Sequence, residues 1–508
     1  MKRSNLSASL YKQEDIMEKS IALTIQRFAK EKPDAVALIV NDEKCTYEKL
    51  ALYSRKAAAF LEKQGIRPGD RIVVEADHIL TYVYFWYGIQ LLGATFVPLE
   101  KLTPSNRMVE IAQELDAAKI VTLTAREDLP DAWSLEEIAP EFMAMDDGFV
   151  PTEPDEESLA EILFTTGTTG KSKGVMVSYG NQVNIALAGI ETTNIQPDNV
   201  WLIPTPMNHA AGLRKVHIAM AVGSAACLLE GFRNVKQYFK TIHDHKVTSL
   251  YLPPSAIHLL LALASKNLAE LKDQLRFIYS SSAAYPEQDK EKMRKLLPNV
   301  YMYNCFGCSE VGVVCTDEFC VSGGSTYTGS VGKPNSYAEI VILDENYQEK
   351  KNATAQDPGL AAIRSKSVTK GYWNEPEQTA KAFRDGMLIM SDLCYFAPNG
   401  ELILVGRSND TINLGGLKVA PMEVEEVASR ASCVDECLLI PVTRGGNAAL
   451  KLLVVLKEGA QLNEEEIRDL IQKNLEPYKL PKQIVVIDEI IRTFNGKIDR
   501  KQMIAKYA

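Results

Sequence analysis

Short apolar runs alternate with helix-periodic segments as far as about residue 280, and this alternation limits the chain to few folds. Residues 35–40 (AVALIV), 71–76 (RIVVEA), 120–123, 224–229, 249–252 and 277–280 each read as a buried strand. Between them lie segments with helical spacing. Residues 15–31 put Ile16, Ile21, Leu23, Ile25 and Phe28 on a rough stripe, and 47–64 form a second example. Strand, helix and strand in succession predict parallel strands joined by crossover helices, an α/β architecture. After about residue 325 the texture changes to short strands at 338–343, 360–365, 402–405 and 411–413. The last hundred residues predict two helices, 421–432 and 463–474, among strands at 436–442, 450–456 and 483–487, a small α+β unit. At 508 residues the chain is too long for one core.

One stretch carries a chemical question. Residues 164–175 read FTTGTTGKSKGV, and Gly170-Lys171-Ser172 is the ending of a nucleotide-binding P-loop. That loop requires glycine five residues before Gly170, where this chain has Thr165. The P-loop reading therefore fails on spacing. What remains is a loop of hydroxyls and cations: Thr165, Thr166, Gly167, Thr168, Thr169, Gly170, Lys171, Ser172 and Lys173. Backbone N–H groups, hydroxyls and ammonium groups all suit phosphate oxygens.

Composition narrows the function classes. A net charge of −10 argues against a dedicated nucleic-acid or anionic-membrane binder. The first twenty residues lack the apolar core of a signal peptide. The longest apolar run, around 218–229, is shorter than the roughly 20 residues that span a bilayer. The expectation is a cytoplasmic enzyme with no integral membrane segment. Nine cysteines, an odd number, favour reduced thiols. Cys305, Cys308, Cys315 and Cys320 cluster, but no second Cys-x-x-Cys follows the first.

FTTGTTGKSKGV resembles the phosphate-loop signature [YF]TSGTTGxPKGV of the ANL superfamily of adenylate-forming enzymes, with Thr166 for serine and Ser172 for proline. Residues 304–312 (NCFGCSEVG), Ser391-Asp392, Gly406-Arg407, 414–425 (LGGLKVAPMEVE) and 493–500 (TFNGKIDR) resemble further motifs of that group, in its order. The resemblance implies a large N-terminal AMP-binding domain over 1–406, a hinge at 407–410 centred on Asn409, and a small mobile C-terminal domain over 411–508. It implies ATP-dependent activation of a carboxylic acid to acyl-AMP, then transfer to a thiol. The expected cofactors are ATP, Mg2+ and CoA, or the phosphopantetheine of a carrier protein.

The same resemblance distributes roles. Lys497 would serve the carboxylate and α-phosphate oxygens, and Glu310 would hold magnesium. Thr165 to Gly170 and Lys173 would grip phosphates, with Ser309 on the α-phosphate. Asn304, Cys305, Phe306 and Gly307 would line the adenine with Ser282 and Ala283, which lie in 279–284 (YSSSAA). Ser282 stands where glycine is usual, and Tyr285 where proline is usual. Asp392 would accept the ribose hydroxyls, and Arg407 would contact the ribose. Gly415 and Gly416 would face the thiol tunnel.

Residues 206–213 (PMNHAAGL) resemble the stretch that borders the acid in acyl- and aryl-CoA ligases. His209, Ala211, Lys215, Ser281 and Cys305 are the expected acid contacts. The aspartate that anchors an α-ammonium in amino-acid-activating relatives is absent here. Arg214 and Lys215 follow directly. Charges usually face water, so a solvated helix face is the expectation, against a contact of one of the two with a polar or anionic group on the acid, such as a second carboxylate. Transfer to a carrier protein is the alternative. A nucleotide-binding protein without thiol chemistry and a luciferase-like oxidase stand further off. A monomer or homodimer is expected.

Overall fold

Helix Leu80–Leu92 (LTYVYFWYGIQLL) is buried at every position except Thr81. A helix apolar on all sides must lie between layers rather than on one face of a sheet. In this computed structural model, which describes residues 17–508 apart from 167–171, 233, 284, 415–416, 445–446 and 494–496, two sheets provide those layers. The side chains of Thr166, Lys418, Arg444, Asn447 and Ala448 are likewise outside the described set.

The larger sheet has nine strands. In spatial order they are Lys333–Pro334, Gly312–Glu318, Tyr301–Cys308, Phe277–Ser280, Ser249–Tyr251, Val200–Ile203, Ala225–Leu228, Val36–Val40 and Glu43–Thr46. The pairs from Tyr301–Cys308 across to Val36–Val40 are parallel, and the two ends are antiparallel. The second sheet has six strands: Trp133–Ser134, Lys119–Thr122, Arg71–Glu75, Thr95–Leu99, Leu159–Thr166 and Ser172–Ser178. Only its last pair is antiparallel. Phe85, Trp86, Phe96, Trp201, Leu213 and Tyr279 belong to one apolar core that joins the two sheets.

A five-stranded antiparallel sheet follows, built from Glu339–Leu343, Gly359–Arg364, Phe383–Arg384, Met387–Phe396 and Leu402–Arg407. The C-terminal segment has its own apolar clusters, one around Val424, Leu452 and Ile467 and another around Leu438, Leu453 and Met503. Its three-stranded sheet (Val434–Arg444, Asn447–Leu456 and Gln483–Val486) packs helices Pro421–Ala428 and Glu464–Asn474. The chain is thus a large multi-layer α/β fold with a small α+β unit. The expected helix 421–432 stops at Ala428, and a third helix, Arg500–Tyr507, joins the two anticipated. That helix buries Met503 alone, so its sequence shows almost no apolar stripe.

The solvated face expected for Arg214 and Lys215 is overturned. Helix Ala210–Val222 lies inside the fold, and both side chains are only 5% exposed. Arg214 Nη1 donates to the carboxylate of Glu161, a fully buried residue of strand Leu159–Thr166. Gln182 Nε2 donates to the other Glu161 oxygen at 3.3 Å. His217, one turn on, lies 5.1 Å from Trp86 between ring centroids, and burial holds its imidazole neutral. Arg214 is therefore a pinning residue that ties a helix of one layer to a strand of the other.

Removing one member of such a pair strands the other as a buried charge, at a cost of about 3–5 kcal/mol. We expect Arg214→Met to lower unfolding free energy by about that much in urea titrations. Arg214→Met with Glu161→Gln should recover part of the loss. A single variant as stable as the wild type would contradict the pinning role.

Candidate active site

The phosphate-loop residues sit on an antiparallel hairpin. Thr165 pairs with Lys173 and Thr166 with Ser172, and Ser172 Oγ donates to the Thr165 carbonyl at 3.0 Å. Ser172 closes the hairpin base where the family motif has proline. The tip, with Gly167, Thr168, Thr169 and Gly170, lies outside the described residues. Lys173 Nζ stands 4.8 Å from the Tyr372 ring centroid. The Tyr372 hydroxyl in turn donates to Glu310 Oε1 at 2.9 Å. Sequence reading missed Tyr372, which belongs to no quoted motif. Its signal was the aromatic pair Tyr372-Trp373 beside a glycine, since Gly371 accepts a backbone bond from Met176 of the hairpin.

Glu310 follows strand Tyr301–Cys308, which carries Asn304, Cys305, Phe306 and Gly307. Asn304 is buried and lies in register with Ser280, at the carboxyl end of its parallel neighbour. The carboxyl ends of parallel strands are where open α/β sheets bind ligands. A register shift between Phe306 and Gly307 turns the strand end. A Cβ on Gly307 would lie 1.8 Å from the Gly312 carbonyl oxygen, so only glycine fits. Ser309 and Glu310 are half-buried beyond this turn.

Ser282 adopts φ +84°, the left-handed region that favours glycine, which accounts for glycine in the family motif. Its hydroxyl lies 3.1 Å from the Tyr251 hydroxyl, and that of Ser281 lies 3.3 Å from the same atom. Ala283 is exposed beside them. Tyr285, at the proline position, is buried edge-on against Phe319.

Asp392 is 7% exposed and faces Arg407 across the strand pair, with Arg407 Nε 3.4 Å from Oδ1. Burial raises the Asp392 carboxyl above the usual range, against the pull of Arg407. Asn409 lies exposed in the turn that follows, where Asp410 N–H donates to the Arg407 carbonyl at 3.1 Å. Gly415 and Gly416 fall outside the described residues.

Lys497 comes from the small unit. Thr493 N–H and Oγ1 both donate to the Lys497 carbonyl, at 2.7 and 3.1 Å, and fix the stem of its loop. Its side chain stays accessible from solvent. Even so, desolvation by the surrounding protein, and then Arg407, lower its ammonium below the usual range. Cys308, Glu310 and Asp392 act on it from the large fold. His209, at the start of helix Ala210–Val222, feels it too: burial and then Lys497 push the imidazole down to about 4, so it is neutral near pH 7. Lys173, His209, Glu310, the paired Asp392 and Arg407, and Lys497 thus converge from five separate parts of the chain. Lys215, Ser281 and Cys305 form a second group around the Tyr251 and Tyr279 rings, and Ala211 packs half-buried against the same apolar core.

Contacts away from the cleft hold the two units in this relation. His258 Nδ1 lies 2.9 Å from Asp289 Oδ2, and its Nε2 lies 3.4 Å from Asp435 Oδ2 of the small unit. The Gln288 side chain donates to the Ser429 carbonyl. The Asp289 hydrogen bond raises His258 to about 9, so the bridge is charged at neutral pH and is lost as pH rises through that value.

If a carboxylate accepts two hydroxyls, its loss costs about 1.5–3 kcal/mol. Asp392→Ala should then weaken ATP use by about 10- to 150-fold while the protein stays folded. Wild-type KM and kcat for ATP would remove Asp392 from the ribose. If this is the arrangement in which acyl-AMP forms, as the resemblance implies, Asp435→Ala removes a half-exposed bridge worth about 0.2–1 kcal/mol and should slow that step by no more than about fivefold. Thioester formation from supplied acyl-AMP should not slow with it. A larger loss in that second step would mean the bridge serves the other arrangement.

Comparison with known proteins gives the same outline. A family model described as AMP-binding enzyme matches residues 25–373, and one described as AMP-binding enzyme C-terminal domain matches 423–497. The chain is 27% identical to 4-coumarate–CoA ligase 2 of Nicotiana tabacum, over 92% of this chain and 90% of that one. It is 26% identical to a linear gramicidin synthase of Brevibacillus parabrevis over 93% of this chain, but spans only 6% of that much longer protein. In fold it matches ATP-bound MatB from Rhodopseudomonas palustris with a TM-score of 0.84 and 22% identity, over 96% and 99% of the two chains.

Proposed function

The chain belongs to the AMP-binding enzyme family, and from that premise we propose that it is an ATP-dependent acid–thiol ligase. It joins a small carboxylic acid to AMP and then passes the acyl group to CoA. The observation that carries this reading is the approach of Lys497, from the small unit, to Glu310, Asp392 and His209 of the large one.

The first step brings a carboxylate to a polyphosphate. Two unit charges at 4 Å repel by about 4 kcal/mol at an effective dielectric of 20. The acid's oxygen forms a bond to the α-phosphorus while the bond from that phosphorus to pyrophosphate breaks. Lys497 donates to the oxygens that come together, and Lys173 and the hairpin hold the departing phosphates. His209, neutral at working pH, presents an imidazole rather than a second cation beside the carboxylate. Asp392 orients the ribose. Glu310 is a hard oxygen donor of the kind magnesium prefers and would hold Mg2+, which would supply charge neutralisation at the phosphates. In the second step the thiol sulfur bonds to the acyl carbon, the bond to AMP breaks, and the thiol proton leaves to solvent.

An α-amino acid is a poor fit to this pocket. Glu161, the buried carboxylate tied to this helix, is already engaged by Arg214 and Gln182. This favours acids without an amino group, and CoA over a peptide-synthetase carrier domain. All nine cysteines are free thiols, in keeping with work in a reducing compartment such as the cytoplasm. No helix among the described residues is long and apolar enough to cross a membrane.

The two steps separate the roles. If Lys497 acts only while acyl-AMP forms, Lys497→Ala should lose about a hundredfold or more in acid-dependent ATP–pyrophosphate exchange. Given synthetic acyl-AMP and CoA, the same variant should form thioester at a near-normal rate, with the small unit turned about Asn409. Equal losses in both assays would make Lys497 a structural residue. Pyrophosphate exchange with no acid of a broad panel would sink the ligase reading itself.

A further inference from the structure

Lys215 is the buried cation that the adenylation chemistry does not use. It is 5% exposed, and no ion pair or hydrogen-bond acceptor is found for its ammonium among the described residues. Its Nζ lies 4.5 Å from the centroid of the Tyr251 ring and 4.5 Å from that of Tyr279. These tyrosines are paired neighbours on adjacent strands, Tyr251 opposite Tyr279. Two ring faces attract an ammonium but give it no counter-charge. Glu161, the buried carboxylate tied to its helix, is taken by Arg214. The Cys305 thiol beside it is pushed by burial up to about 12 and stays neutral. Arg214 adds a like charge.

Position tells what the ammonium faces. Ala211 and Lys215 are four residues apart in helix Ala210–Val222, so they share a face. His209, at the start of the helix, borders the acid's reacting carboxylate in the proposed reaction. Six residues at 1.5 Å each put Lys215 about 9 Å further along the helix. Ser281 and Ser282, hydrogen-bonded to Tyr251, lie on the side where the adenine would sit in the proposed reaction.

We propose that Lys215, caged by Tyr251 and Tyr279, binds a second carboxylate at the far end of the acid, about 7–9 Å from the carboxylate that is activated. The inference rests on the ligase reading and narrows its substrates to rod-like dicarboxylic acids. The incoming carboxylate provides the counter-charge that the folded chain leaves out. Burial, with Arg214 adding to it, lowers the Lys215 ammonium to about 8 in the free protein, and a bound carboxylate would draw it back up.

The experiment uses the full-length protein and compares 4-carboxycinnamate with 4-methylcinnamate and 4-hydroxycinnamate in ATP–pyrophosphate exchange. Suberate with octanoate provides an aliphatic pair. In the wild type, kcat/KM should favour each diacid at least tenfold over its methyl-ended partner. Lys215→Met should reverse that preference, a swing of a hundredfold or more, with the KM for ATP changed less than twofold. Lys215→Arg should keep the preference for the diacid. A wild type that uses the methyl-ended or hydroxyl-ended acids as well as the diacids overturns the proposal while leaving the ligase reading intact. An unchanged ratio in a folded Lys215→Met protein overturns it equally. Should that variant fail to fold, the wild-type comparison decides alone.

Discussion

The buried pair of Glu161 and Arg214 sets the geometry on which the rest of the site depends. Glu161 lies on the strand that runs on to Thr165 and the phosphate hairpin. Arg214 lies on the helix that begins beside His209 and carries Lys215. One ion pair therefore fixes the distance between the phosphate side of the cleft and the acid side. An isolated charge in this core would be untenable, and each side chain is tolerated only because the other is there. Gln182 takes up the remaining carboxylate oxygen, which leaves the acid pocket without a free anion from this quarter.

Electrostatics inside the cleft run opposite to those of the whole molecule. The chain carries a net −10, yet Lys173, Arg407 and Lys497 gather around one end of the larger sheet. Desolvation, and then the like charge of Arg407, lower Lys497, and a bound polyanion would relieve both. His209 is held neutral in the same surroundings. A cleft made this way is poised for anions and unfavourable when empty. That asymmetry suits the proposed reaction, in which the small unit leaves once the phosphates have reacted. The bridge from His258 to Asp435 is half-exposed, of the weak kind that the proposed turn of that unit could break.

The sequence made much of this legible because its strands are short, apolar and bounded by turn residues. The strand at 277–280 is found as expected, and those at 35–40, 71–76 and 249–252 differ by a single residue. The hairpin bearing Thr165 and Lys173 was recognisable from its glycines and threonines. Arg214 and Lys215 were misread for a physical reason. Adjacent charged residues on a helix usually point to water, but this helix is packed on all sides and periodicity carries no information about it. Tyr372 escaped because its role is set by a chain crossing far from the motifs in sequence. The left-handed backbone at Ser282 was equally invisible, since serine announces no such conformation.

The central claim is that the acid is activated as its adenylate, and the fate of the carboxylate oxygens tests it most directly. An acid labelled with oxygen-18 in both carboxylate positions, turned over to completion with ATP and CoA, is analysed by mass spectrometry of the nucleotide products. The account predicts AMP carrying one labelled oxygen, with unlabelled pyrophosphate. Label in orthophosphate, with ADP as the nucleotide product, would mean an acyl phosphate intermediate and would contradict it.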